Sequence, residues 1–124
     1  MRLLLDTNVL LWLLEDNPRL APFREAVARP GNVVFFSAVS VAEISLKSSL
    51  GKLEVEPGYV QALTGAGYIE LPLTAAHAEA TANLPRHHRD PFDRLIIAQA
   101  LTDNLTIATA DETFARYNVK LLSQ

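Results

Sequence analysis

The stretch RDPFDRLIIA, residues 89–98, joins a helix start, an acid and an apolar segment. Asp90 followed by Pro91 is typical of an N-cap with proline at the first helical position. Asp93 then falls in the first turn, where the helix dipole favours an anion. The apolar residues that follow predict a buried helix. A carboxylate at such a helix start is well placed to hold a cation, but it is also an ordinary helix start, so chemistry requires partners elsewhere in the chain.

Apolar runs that are typical of buried strands alternate with predicted helices along the rest of the chain. LLL at residues 3–5 is continuously apolar, as expected of a strand buried on both faces. Further strands are predicted at residues 33–36, 68–71, 105–109 and 119–122. Ser40 and Glu43 match the capping box that opens a helix, which would place Glu43 in the first turn. The alternation predicts an α/β sandwich with a parallel sheet and right-handed crossovers.

The composition indicates a single globular domain. Of the 124 residues, 49% are hydrophobic and 20% charged, which is enough for a core and not typical of disorder. The lack of cysteine excludes disulfides, thiolate metal sites and a thiol nucleophile, and it suits a reducing cytoplasm. The apolar runs are far shorter than the roughly 20 residues that span a membrane. The net charge of −3 lacks the overall basic character of many nucleic-acid binders. We therefore expect one cytoplasmic domain over residues 1–124.

Four acids occupy comparable places in this predicted fold. Asp6 follows the first strand, Asp111 follows the fourth, and Asp93 and Glu43 lie at helix starts. In open parallel sheets, residues after strands and at helix N-termini converge on the carboxyl edge, where ligands bind. Four carboxylates there would repel one another unless they are protonated or bridged by a cation. Oxygen ligands without His or Cys favour Mg²⁺ or Mn²⁺, and such a site suits metal-assisted phosphodiester hydrolysis.

Each of these acids also has an ordinary structural interpretation. Asp6, Asp90 and Asp111 are typical N-cap residues, and Glu43 is the expected acid of a capping box. Spacing alone therefore leaves a metal centre and a set of helix caps as open alternatives.

Four sequence blocks narrow the choice: LLLDTN at residues 3–8, SxxSxxEI at residues 37–44, DRLIIA at residues 93–98, and TAD at residues 109–111 with Phe114. Each block is weak alone, but the ordered set is specific and covers nearly the whole chain. Taken together, the blocks resemble the PIN domain, and most closely the VapC-type toxins of bacterial toxin–antitoxin pairs.

The resemblance implies a three-layer α/β fold with a five-stranded parallel sheet in strand order 3-2-1-4-5, flanked by helices. It implies a ribonuclease that depends on Mg²⁺ or Mn²⁺ and cuts tRNA, rRNA or mRNA. The implied metal ligands and catalytic residues are Asp6, Glu43, Asp93 and Asp111. Such toxins commonly form homodimers and are neutralised by a small antitoxin that blocks the site, and no membrane partner is expected.

Two further sets of residues are expected around the acids. The first would hydrogen-bond waters or ligand carboxylates, with turn and cap chemistry as the alternative; its members are Thr7, Asn8, Thr109 and Asp90. The second would contact RNA phosphates; its members are Lys47, Arg86, Arg89 and Arg94. For the lysine the alternative is a surface ion pair with Glu43 on the same helix face, and for the arginines it is a solvated basic loop.

Other classes of protein remain as alternatives. A phospho-receiver domain shares the architecture, but receivers place an acidic pair after the first strand, and a haloacid-dehalogenase-type phosphatase needs a second acid where Asn8 stands. A non-catalytic RNA- or protein-binding module is disfavoured by the intact acids. His87 and His88 invite a zinc interpretation, but adjacent histidines tend to point apart and no third nitrogen ligand is suitably spaced. We therefore predict a Mg²⁺-dependent endoribonuclease.

Overall fold

The computed structural model describes residues 1–122. One parallel sheet has the strand order β3-β2-β1-β4-β5, which confirms the predicted fold class and topology. The strands are β1 (Arg2–Leu5), β2 (Val33–Ser37), β3 (Ile69–Leu71), β4 (Thr106–Ala108) and β5 (Lys120–Leu121). The α-helices are α1 (Thr7–Glu15), α2 (Arg24–Ala28), α3 (Ala38–Ser49), α4 (Tyr59–Gly65), α5 (Ala75–Ala80) and α6 (Pro91–Asp103). Short 3-10 helices span Pro18–Phe23, Thr81–Asn83 and Glu112–Arg116.

The central strand β1 is buried on both faces of the sheet. Side chains alternate along a strand, so Leu3 and Leu5 pack into one core with Val9 of α1. Leu4 packs into a second core on the opposite face with Ile97 of α6. This two-sided burial is the physical reason for the continuous apolar run, because each strand position must match a layer of helices.

Helix α6 begins as the sequence predicts and runs through the second core. The Asp90 side chain accepts a hydrogen bond from the Phe92 N–H at 2.8 Å, and Pro91 occupies the first helical position. Residues 96–100 are all buried, and the helix ends at Asn104 in the left-handed conformation, with φ of 56°. Within residues 1–122, no helix combines the length and apolar character needed to cross a bilayer.

Helix α3 begins earlier than predicted, and the predicted capping box is wrong. Strand β2 ends at Ser37, and the same residue caps α3, because its Oγ accepts a hydrogen bond from the Val39 N–H at 2.9 Å. Glu43 therefore lies in the second turn of α3. Ser40 points into the protein, where its Oγ lies 2.9 Å from the Thr7 Oγ1. The strand passes into the helix without a loop, so Ser37 performs the capping role that the sequence motif assigned to Ser40.

Candidate metal centre

Four acids meet at the carboxyl edge of the sheet, and the topology explains why. Asp6 follows β1, and its N–H donates to the carbonyl of Ala108, the last residue of the neighbouring strand β4, at 3.1 Å. Asp111 lies in the loop after β4. Glu43 lies in α3, which packs against α6, and Asp93 lies in the first turn of α6. The acids that the sequence places at separate strand and helix ends thus share one edge of the fold.

Asp6 is fixed in place but difficult to ionise. Its side chain is almost fully buried, and it accepts hydrogen bonds from the Val9 N–H at 2.8 Å and from the Thr109 hydroxyl at 2.5 Å. Burial raises the pKa of Asp6 to about 6, and the charges of Asp111 and Glu43 act in the same direction, whereas the two hydrogen bonds oppose the rise. A nearby cation would remove the penalty on the charged form.

Glu43 has one paired oxygen and one unpaired oxygen. It is 5% exposed, and its Oε2 accepts a hydrogen bond from the Lys47 Nζ at 2.7 Å. This bond raises the pKa of Lys47 and keeps the lysine charged. The buried Oε1 has no hydrogen-bond partner among residues 1–122. An unpaired buried polar atom costs about 1–3 kcal/mol, and more for a charged group. This oxygen is therefore available to a ligand.

The pKa of Asp93 is raised further than that of Asp6. Burial is the main cause, and the charges of Asp90, Glu43 and Asp6 add to it, so that the pKa of Asp93 is about 7. The interaction with His88 opposes this rise. Asp90 thus acts on the site through its charge while its side chain caps α6. The sequence predicts a cation site at which neighbouring carboxylates repel one another, and the negative charges around the start of α6 agree with that expectation.

His88 is the residue of this site that the sequence analysis missed. Its Nε2 lies 3.1 Å from Asp93 Oδ2 and 3.0 Å from Asp111 Oδ2, and the three side chains form a group able to hold a metal ion. Burial acts to raise the pKa of Asp111, but hydrogen bonds from His88 and Thr113 keep it below its ordinary value. The sequence signal for this role is the position of His88 two residues before the N-cap Asp90, because a loop residue there can contact the first turn of α6.

The residues predicted to support the acids differ in their contacts. Thr109 donates to Asp6, as described above, and its Oγ1 also accepts the N–H of Asp111 at 3.0 Å. Thr7 is buried and its hydroxyl bonds to Ser40, which ties the start of α1 to α3. Asn8 is exposed. Their proposed contacts with a metal or its waters stay predictions.

The predicted RNA-contacting arginines fall into two groups. Arg86 and Arg89 are exposed, and they line an open cavity of about 680 Å³ beside the start of α6. Arg94 lines the same cavity, but its guanidinium donates to the carbonyls of Pro85 and Thr81 at 2.8 and 2.9 Å. Arg94 therefore holds the loop before α6, and its predicted contact with RNA would have to compete with these bonds.

Comparison with protein families gives the class of this fold and site. The model of the PIN domain matches residues 3–120, so the chain belongs to the PIN domain family. Proteins of this family are generally nucleases and usually use divalent metal ions. None of the curated protein sequences compared with the chain matches it.

Solved structures with the same fold include complexes of toxins with antitoxins. VapBC2 from Rickettsia felis, bound to a DNA fragment from its promoter, has a TM-score of 0.73 and 17% identity over 98% of each chain. FitAcB from Neisseria gonorrhoeae has a TM-score of 0.64 and 25% identity over 98% of this chain and 96% of that one. A toxin–antitoxin complex from Klebsiella pneumoniae has a TM-score of 0.64 and 19% identity over 97% and 95%. The predicted resemblance to VapC-type PIN domains is confirmed.

Proposed function

We propose that this protein is a metal-dependent endoribonuclease that acts as the toxin of a toxin–antitoxin pair. The observation that carries the proposal is the buried Oε1 of Glu43, which lies within a group of acids and has no hydrogen-bond partner in the described part of the chain. Burial and mutual repulsion raise the pKa values of Asp6 and Asp93, so negative charge is in excess there despite the ammonium of Lys47. A nuclease centre explains this excess, whereas a set of helix caps does not, because a cap requires no unpaired buried oxygen.

The side chains present fit a small divalent cation. We assign the ligand role to Asp6, Glu43, Asp93 and Asp111, because carboxylate oxygens are the ligands that Mg²⁺ and Mn²⁺ prefer. When bound, the cation supplies the positive charge that polarises the scissile phosphate and acidifies water. Thr109 orients one ligand by donating to Asp6 Oδ2.

The remaining groups would bind the RNA backbone and move a proton. Lys47 is about half-exposed and lies 2.7 Å from Glu43, so its ammonium is placed to bind a phosphate oxygen beside the acids. Arg86 and Arg89 line the adjacent cavity and would hold neighbouring phosphates. As an alternative to binding the cation directly, Glu43 Oε1 would act as general base and take a proton from the attacking water while the water oxygen bonds to phosphorus. The P–O bond to the leaving oxygen then breaks, and that oxygen takes a proton from solvent.

The proposed biological role extends what the similar structures show. The complexes from Rickettsia felis, Neisseria gonorrhoeae and Klebsiella pneumoniae share the fold of this chain over nearly its whole length. We propose that the chain acts as one PIN domain over residues 1–124 in the cytoplasm and forms a homodimer. A cognate antitoxin would block the acids, and the substrate would be tRNA, rRNA or mRNA.

Cleavage of RNA by antitoxin-free protein tests the proposal. Total cellular RNA is incubated with Mg²⁺ or Mn²⁺, with EDTA, and with Asp6→Asn prepared in the same way as a control for contaminating nucleases. We expect cutting that EDTA abolishes and that falls by roughly 100-fold or more in the variant, because several kcal/mol of transition-state stabilisation are lost. Equal cutting by the variant would contradict the proposed site. RNA binding without cutting would support a non-catalytic module instead.

A further inference from the structure

The imidazole of His88 is held between two acids by contacts that do not involve a metal. Its ring packs edge-on against Phe114, with centroids 5.9 Å apart and an interplanar angle of 89°. Its backbone N–H donates to the Tyr117 hydroxyl at 2.7 Å. Its Nε2 contacts Asp93 Oδ2 at 3.1 Å and Asp111 Oδ2 at 3.0 Å. The ring is thus positioned by the 3-10 helix segment and its loop before any ligand arrives.

The second ring nitrogen shows which tautomer the ring adopts. The Asp90 N–H points at the His88 Nδ1 at 3.4 Å, a long contact that makes Nδ1 the acceptor and favours the tautomer with its proton on Nε2. His77 shows the same arrangement elsewhere in the chain: its Nδ1 accepts the Thr74 N–H at 3.0 Å, and its Nε2 contacts an aspartate at 3.0 Å. In both rings a backbone donor on one side directs an N–H towards a carboxylate on the other.

We propose that His88 is a positioning residue that presents Asp93 and Asp111 to the metal: its Nε2–H donates to Asp111 Oδ2, and the same nitrogen lies 3.1 Å from Asp93 Oδ2. The two acids come from different segments, the start of α6 and the loop after β4. Without a donor between them, like charges would turn the carboxylates apart. In the structure, candidate ligand atoms of His88, Asp93 and Asp111 all lie within 4.8 Å of one another. This inference rests on the proposed function, because it assigns His88 a role in the same centre.

The same geometry argues against His88 as a metal ligand. A nitrogen that binds a metal must offer its lone pair, whereas Nε2 carries the proton and the Asp90 N–H keeps the lone pair of Nδ1 occupied. Mn²⁺ bound at the site should therefore be coordinated by oxygen alone, without a nitrogen from the protein. This separates a positioning role from the alternative in which His88 completes a nitrogen-containing site.

Metal binding measured by calorimetry tests the inference without reference to RNA cleavage. The wild-type protein, His88→Ala and His88→Gln are titrated with MgCl₂ and with MnCl₂. We expect His88→Ala to weaken binding by roughly 10- to 100-fold, the usual effect of losing a hydrogen-bond donor behind metal ligands. His88→Gln keeps an N–H donor and should recover part of the loss. His87→Ala is the matched control, because His87 is exposed and contacts Tyr117 rather than an acid.

The outcomes separate this inference from the proposed function. A wild-type protein that binds neither metal overturns the proposed function. Wild-type binding that His88→Ala leaves unchanged or strengthens overturns only the positioning role. A merely structural role would lower thermal stability in His88→Ala and His88→Gln alike without rescue of metal affinity by glutamine. Pulsed electron paramagnetic resonance of the Mn²⁺-loaded protein supplies the second measurement, and a directly coordinated ¹⁴N signal that disappears in His88→Gln would also overturn the inference.

Discussion

A histidine contacts aspartate at each end of α6, but the ratio of histidine to aspartate differs between the two ends. At the C-terminal end, Asp103 is paired with one histidine, His77, at 3.0 Å. At the N-terminal end, His88 is shared by Asp93 and Asp111. Glu43, which lies nearby on α3, is paired with Lys47 at 2.7 Å, and the charges of Asp90, Glu43 and Asp6 all raise the pKa of Asp93. Negative charge is therefore in excess around this end.

The difference separates a structural pair from a candidate active site. His77 is buried and both of its ring nitrogens have partners, so the C-terminal pair is complete as it stands. The contact with His77 also gives a partner to the Asp103 carboxylate, which lies at the end of the helix where the dipole disfavours an anion. The N-terminal group has raised carboxyl pKa values, and one buried oxygen of Glu43 is unpaired among residues 1–122. Raised carboxyl pKa values and an unpaired buried oxygen are typical of functional sites.

The largest expected effects come from replacing the aspartate at either end of α6 by alanine. Asp93→Ala should reduce RNA cleavage by roughly 100-fold or more, since a metal ligand is lost. Its metal-free stability at neutral pH should hold or rise, because a buried, repelled charge is removed. Asp103→Ala should leave cleavage intact but lower the free energy of unfolding by about 1–3 kcal/mol, because the Nε2–H of His77 loses its partner. Cleavage rates and urea denaturation measure the two effects. Loss of cleavage in correctly folded Asp103→Ala would break the comparison.

The next largest effect is expected in the way the stability of the metal-free protein depends on pH. The pKa values of Asp6 and Asp93 are about 6 and about 7 in the folded chain, against 3.8 as the ordinary value. The folded state therefore binds these protons more tightly than the unfolded state, and the contribution of both groups to stability falls as pH rises through this range. Each pKa unit corresponds to about 1.4 kcal/mol, so the combined loss is on the order of a few kcal/mol.

Thermal melting between about pH 4 and pH 7.5 with EDTA checks this slope. The double variant Asp6→Asn with Asp93→Asn should have a flatter dependence, and the difference from wild type isolates the two groups. Mg²⁺ should restore stability to the wild-type protein at the upper pH and leave the double variant nearly unchanged. Parallel slopes for the two proteins would show that these carboxylates ionise without penalty.

The smallest effect is expected from replacing Lys47, whose ammonium lies at the edge of the acidic group. Lys47→Gln keeps a hydrogen-bond donor for Glu43 but removes a charge that we assign to RNA phosphate. The KM for RNA should rise by up to roughly fivefold, about 1 kcal/mol, with little change in kcat. The slope of log KM against log salt concentration should fall by about 1, because one fewer counterion is released when RNA binds. Lys120→Gln, at the exposed start of β5, is the control; an equal change there would mean that only overall charge matters.

Features that depend on neighbouring residues were predictable from the sequence. The Asp90–Pro91 helix start, the caps at Asp6 and Asp111 and the buried central strand follow from local hydrogen bonding and from apolar patterning. The start of α3 was mispredicted because Ser37 ends a strand and caps a helix at once, and local motifs do not reveal where a strand stops pairing. Arg94 was predicted to contact RNA, whereas its hydrogen bonds to loop carbonyls depend on how residues 81–85 fold back onto α6.

The order of residue types along the chain predicts the parallel α/β architecture. It also predicts that the four acids lie at one edge of the sheet. The charge balance at each end of α6 does not follow from that order, because it depends on distances of about 3 Å between segments far apart in the chain. His87 and His88 are adjacent in sequence, yet one is exposed and the other contacts Asp93 and Asp111. Burial also sets the pKa values of Asp6 and Asp93, and burial is a property of the packed protein. The sequence therefore predicts which acids are candidate ligands, and the packing of the fold sets their burial, their contacts and their pKa values.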